Sequence, residues 1–217
     1  MSYDIEGWDQ LCQEIDDETD QWLDVIETMI IESNDYDAVM SIAGGPLPAV
    51  LKLGGAELQL RAIDWAQSDG KRVAALFRAL SLGLIPSGQK DGESLAVHAL
   101  CLNIVADACA RQVSKPPTSF SWDLWTVDIG IQMTESDAQF IWELIQFVVA
   151  KVPTERLGAV GAGLLEDFCW KAGESYIDRI EALAADDVSF KTALGSVWPG
   201  GNSIRPAIYS RIRKAVA

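Results

Sequence analysis

Apolar residues recur at helical spacing along most of the chain. Between Tyr3 and Ile31 they are Ile5, Trp8, Leu11, Cys12, Ile15, Trp22, Leu23, Ile26 and Ile30, with acids between them. Steps of three and four residues put them on one face of a helix. Asp and Thr in the run DDETD (16–20) are good N-caps and allow a break there. Ser33-Asn34-Asp35 closes this segment, and Asp37–Ile42 leads as a short apolar turn into Gly44-Gly45-Pro46. Paired glycines permit a tight connection, and proline suits the first turn of a new helix. That helix carries Leu47, Val50, Leu51 and Leu53 and stops at Gly54-Gly55. Leu58, Ile63 and Trp65 mark the next helix, then Val73, Leu76, Phe77 and Leu80 another, closed by Gly83 and Pro86.

From Glu93 to Val113 apolar residues cover more than one face, which predicts a central buried helix. The stretch SKPPTSFSWDLWTVDIGIQ (114–132) has two prolines and little helical period, so it reads as a connector. Trp125, Val127, Ile129 and Ile131 alternate within it, which allows a short extended segment. Beyond it Trp142, Leu144, Ile145, Val148 and Val149 predict a helix ended by Pro153. Thr154–Leu157 leads into a turn at Gly161-Ala162-Gly163. Leu164, Leu165, Phe168 and Cys169 then carry a helix to Gly173. Tyr176, Ile177, Ile180 and Leu183 make another, broken at Asp186-Asp187, and Phe190, Leu194, Val197 and Trp198 finish the pattern.

The two halves share a phrase. At an offset of 118 residues Gly45, Leu47, Gly55, Arg61, Ala66, Asp69, Ala75 and Leu76 match Gly163, Leu165, Gly173, Arg179, Ala184, Asp187, Ala193 and Leu194. The expected fold is therefore all-α: a helical bundle of two related multi-helix halves, an imperfect internal repeat, with a central apolar helix. The divisions expected are 1–86, 87–138 and 139–217, within one compact unit.

Charge changes the picture more than composition does. The net charge is −15, and Met1–Leu51 holds 13 acids with no Lys or Arg. After Asp187 the acids stop, and Lys191, Arg205, Arg211, Arg213 and Lys214 follow. An acidic head steers a basic partner and repels phosphate, so direct nucleic-acid binding is not expected. The opening MSYDIEGWDQ has no leader pattern, and no apolar run approaches the roughly 20 residues of a membrane span. Four cysteines (Cys12, Cys101, Cys109 and Cys169) lack CxxC spacing and read as thiols of a reducing compartment. A cytoplasmic protein that does not engage a membrane is the expectation.

The phrase GLLEDFCWKAGESYIDRIEALAADDVSFKTALGSVW resembles an uncharacterised bacterial family of helical domains of unknown function. Gly163, Leu165, Glu166, Asp167, Gly173, Ile177, Asp178, Arg179, Phe190, Leu194 and Trp198 carry the resemblance, over roughly residues 140–200. Leu164 and Ala172 stand where that pattern has Pro and His. The first half keeps Gly45-Pro46-Leu47 but lacks the Glu-Asp pair. The resemblance implies a fold and assigns no activity. Many small acidic bacterial proteins of this kind look like immunity proteins of toxin systems.

Chemical signatures are weak. GAVGAG (158–163) follows a helix and has the wrong spacing for a dinucleotide loop, and Glu166 and Asp167 would repel a phosphate there. Asp167 and Asp178, expected on consecutive helices, would converge only across the Gly173 turn. Asp178 is expected to pair locally with Arg179 or to cap that turn. No His or Cys completes a metal set beside them, and His98 reads as structural. No cofactor or metal is expected, and no enzymatic activity. Trp8, Trp22, Trp65, Trp142 and Trp198 fall in apolar patterns and are expected in the core.

The expected role is that of an acidic binding protein neutralising a basic protein partner, with a toxin-immunity protein as its particular form. Its contact residues would be Asp9, Asp16, Asp17, Glu18, Asp20 and Asp24, with Trp122 and Trp125 as aromatic anchors. A regulatory or scaffolding helical module is the alternative, and a carboxylate enzyme using Glu166 or Asp178 a third reading. The pattern leaves the oligomeric state open.

Overall fold

The computed structural model describes residues 19–67, 70–80, 92–115, 126, 131, 133–135, 137–199 and 204–217, without the side chains of 80 and 92–96. Its fold is all-α, with no strand among the described residues. The chain divides into two compact units, the main boundary falling between Ile104 and Val105, inside one helix.

The first unit holds α1 (Thr19–Glu32), α2 (Tyr36–Gly44), α3 (Pro46–Leu53), α4 (Gly55–Ala66) and α5 (Gly70–Leu80). Leu23, Ile26 and Ile30 give α1 the buried stripe expected from their spacing. Asp35 caps α2 by accepting a hydrogen bond from the Asp37 N–H at 2.9 Å. The Gly44-Gly45-Pro46 break is present: α2 ends at Gly44, and α3 starts with Pro46 at its first position. Gly55 has φ +62°, a left-handed angle that glycine adopts without steric cost, and this turns the chain from α3 into α4. Helix α2 packs on α5, and α1 on α3, around Leu47, Leu51, Ile63 and Val73. Each such side chain taken wholly out of water contributes about 1.5–3 kcal/mol.

Helix α6 (Gly92–Ser114) matches the predicted central helix in extent. Its burial does not match. Leu100, Asn103, Asp107, Arg111 and Ser114 form an exposed stripe at helical spacing, and Val97, Cys101, Val105, Ala108 and Cys109 are buried. Asn103, Asp107 and Arg111 are the reason, since polar and charged heads are rarely buried whole. Thr126 and Ile131 are helical, so the alternation at 125–131 does not make an extended segment at Ile131.

The second unit contains α7 (Ala138–Lys151) and a 3-10 turn (Thr154–Arg156). A continuous helical run follows: α8 (Leu157–Val160), a π-helical turn (Gly161–Leu165) and α9 (Glu166–Asp186). Helices α10 (Val188–Leu194) and α11 (Pro206–Val216) complete it. Asp137 caps α7 by accepting from the Phe140 N–H, and Asp187 caps α10 by accepting from Ser189 and Phe190. Phe140, Leu144, Phe168, Ile180, Phe190 and Leu194 form the core.

Two expected glycine turns are absent here. Gly161 and Gly163 lie within the helical run, and Gly173 is in the middle of α9. The role of Gly161 and Gly173 is close packing. A Cβ on Gly161 would fall 1.9 Å from the Ala193 carbonyl oxygen, and one on Gly173 would meet Ile208 at 3.1 Å. The two copies of the shared phrase therefore break their helices differently: at Gly45 and at Gly54-Gly55 in the first, and nowhere between 161 and 186 in the second.

Candidate functional site

Asp20 and Asp24 are the expected contact residues that the structure describes; Asp9, Asp16, Asp17, Glu18, Trp122 and Trp125 lie outside the described residues. One helical turn apart on α1, Asp20 and Asp24 share the guanidinium of Arg61 from α4. Its Nη1 donates to Asp20 at 3.2 Å and its Nη2 to Asp24. Both carboxylates remain open to solvent, with side chains 72% and 66% exposed. At the other end of α1, Lys71 donates to the carbonyls of Ile31 and Ser33 at 2.9 and 2.7 Å, a cation satisfying a helix C-terminus. Partial burial pushes the Glu27 carboxyl above the usual carboxylate range, against the pull of Arg61 and Arg72.

In the second unit two arginines of the basic tail pair with α9. Arg211 donates through Nε to Glu181 at 2.7 Å and through Nη2 to Asp178 at 2.6 Å, and Arg205 pairs with Glu174. The hydrogen bonds from Arg211 hold Glu181 below its ordinary pKa. Asp178 thus meets Arg211 and makes no ion pair with Arg179, correcting the expected local pairing. Asp167 and Asp178 do not converge either. They are eleven residues apart on one unbroken helix, about 16 Å along its axis.

Arg179 turns the other way, towards α7. Its Nη1 donates to the Oε1 of Gln139 at 2.8 Å. The guanidinium carbon lies 5.1 Å from the Trp142 ring centre and 4.9 Å from that of Tyr176. Trp142 is buried and packs edge-on to Phe190, so the stack rests on the core. The Tyr176 hydroxyl donates to the same Gln139 oxygen at 3.4 Å, a long bond. Gln139 Nε2 donates to Glu143, which orients the amide so that its oxygen faces Arg179. Sequence reading missed this cluster. Its signal was the three-residue spacing of Tyr176 and Arg179, which share one face of a helix.

The tryptophans are also rearranged. Trp142 is core as expected, while Trp22 and Trp65 are half-buried. Trp198, expected in the core, is 67% exposed, and Trp170, which the pattern did not single out, is 44% exposed. Trp198 follows the last turn after α10, beyond the reach of the helical period that suggested burial. Its backbone N–H donates to Glu166 at 3.0 Å, one turn of α9 before Trp170. Lys171 is 4.4 Å from the Trp170 ring centre and pairs with Glu135.

No cluster of metal-binding side chains occurs among the described residues, and no described helix is long and apolar enough to cross a membrane. Burial pushes the thiols of Cys101 and Cys169 up to about 12, far from thiolate chemistry.

The fold defines an all-α protein whose described surface offers charged and aromatic contacts. Residues 113–217 match the model of a family described as a family of unknown function (DUF6869). That span includes the stretch whose motif suggested an uncharacterised family. No curated protein and no solved structure matches the chain.

Proposed function

We propose that this is a non-enzymatic binding protein of the bacterial cytoplasm whose acidic surface captures a basic protein partner. In its particular form it is an immunity protein that neutralises a toxin. The observation that carries this reading is the state of Asp20 and Asp24. Arg61 orders both carboxylates without covering them, in a segment (1–51) that contributes no cation of its own. Ordered, solvated carboxylates steer a basic partner at long range and lose less side-chain entropy on contact. Exposed Trp170 and Trp198 add the kind of aromatic surface that anchors interfaces.

A second reading is a regulatory or scaffolding module. It is favoured by the span of the family match, which takes in the second compact unit and little of the first, as a reusable module would.

The test is affinity capture from the native cytoplasm with the intact protein. It is repeated with Asp16→Asn, Asp17→Asn, Glu18→Gln and Asp20→Asn together. The expected result is one basic protein, lost in the amide variant and weakened as salt shortens the Debye length. Equal capture by both proteins would refute the steering model and favour the module.

A further inference from the structure

Arg179 and Arg61 are 118 residues apart, at equivalent places in the shared phrase, and each reaches back to an earlier helix of its half. Arg61 finds two carboxylates there, Asp20 and Asp24, four residues apart on α1. Arg179 finds Gln139, with Glu143 four residues further along α7, but the Glu143 carboxylate takes the Gln139 amide. Arg179 makes no ion pair with a carboxylate among the described residues, whereas Arg61, Arg205 and Arg211 all do.

Its guanidinium is nonetheless held. Its carbon lies near the ring centres of Trp142 and Tyr176, and one N–H goes to Gln139. The ring contacts consume no N–H, and Gln139 uses one of its five donors. The Nε–Nη2 edge, which fits the two oxygens of a carboxylate, takes no part in those contacts. Arg179 is an exposed residue. Much of the rotamer entropy that usually opposes pairing by a surface arginine has already been lost to the stack.

From this we infer that Arg179, positioned by Gln139, Trp142 and Tyr176, is a binding site for a carboxylate supplied by another molecule. Arg61, at the matching place in the phrase, already has its carboxylates in Asp20 and Asp24. The inference does not rest on the acidic surface of α1, and either can fail without the other.

The experiment follows the arginine Nε–Hε resonances of the intact protein by NMR during titration with acetate. Chloride and inorganic phosphate serve as parallel arms at matched ionic strength. Arg179→Lys assigns the resonance, and Arg213, an exposed arginine in no ion pair among the described residues, is the internal control. The expected result is a saturable acetate shift at Arg179, with half-saturation about tenfold or more below that of Arg213, as a fixed bidentate edge requires. Gln139→Glu, which brings a carboxylate to the same guanidinium, should abolish the response. A linear shift no larger than that of Arg213 would overturn the site. Tighter binding of phosphate than acetate would overturn its assignment to a carboxylate.

Discussion

Replacing Gly161 by alanine tests whether the glycines of 158–163 are turn residues or contact residues. The added Cβ would stand 1.9 Å from the Ala193 carbonyl oxygen, 2.9 Å from the Ala193 carbonyl carbon and 3.0 Å from Ser196 Cβ. Backbone cannot rotate aside as a side chain does, so α10 must retreat by roughly 1.5 Å to restore ordinary contact in a close-packed interior. Phe190 and Leu194 sit on that helix at 0% and 1% exposure, so the movement opens their packing against the core. Overpacking of this kind costs about 1–3 kcal/mol, and a backbone clash belongs at the upper end. Gly163, two residues on, supplies the control. Nothing lies within 4 Å of its Cβ position, and it too is in the helical run. Alanine there should stabilise the protein by about 0.4–1 kcal/mol through the unfolded chain. Urea unfolding followed by circular dichroism reads both. Opposite signs are expected, with Gly161→Ala lowering the midpoint and Gly163→Ala raising it. Equal losses would mean that both glycines serve a turn, and the helical path through 161–165 would be wrong.

The remaining predictions concern charge and thiols. Because Arg211 holds the folded Glu181 pKa below its unfolded value, the pair stabilises the protein fully above the ordinary carboxylate range. That contribution is lost as pH falls through the lowered folded value. Glu181→Gln should therefore lower stability at pH 7 and leave it unchanged at the acid end; an equal loss at both would refute the ionic origin. Cys101 and Cys169, buried and with their thiols pushed up to about 12, should resist a disulfide reagent at pH 8 until urea is added. Peptide mapping by mass spectrometry would show this, and rapid native labelling of either would contradict their burial.

Local pattern was enough to locate most helices of this protein, because a helix records its own period and its own caps. The buried face of α1, the start of α3 at Pro46, the end of α7 before Pro153 and the break before α10 at Asp187 all follow from residues within a few positions of one another. Glycine is where that logic fails. The same residue type turns the chain at Gly55, where φ is +62°, and lets α10 press against the helical run at Gly161. Only the neighbour across the interface distinguishes these cases, and it is 32 residues away in sequence. Tertiary structure likewise decided which charges meet. Arg211 reaches back 30 residues to Glu181, and Arg179 ignores its adjacent Asp178 for Gln139, 40 residues earlier. Side chains next to each other on a helix point in different directions, so sequence adjacency predicts neither their partners nor the edge a guanidinium leaves open.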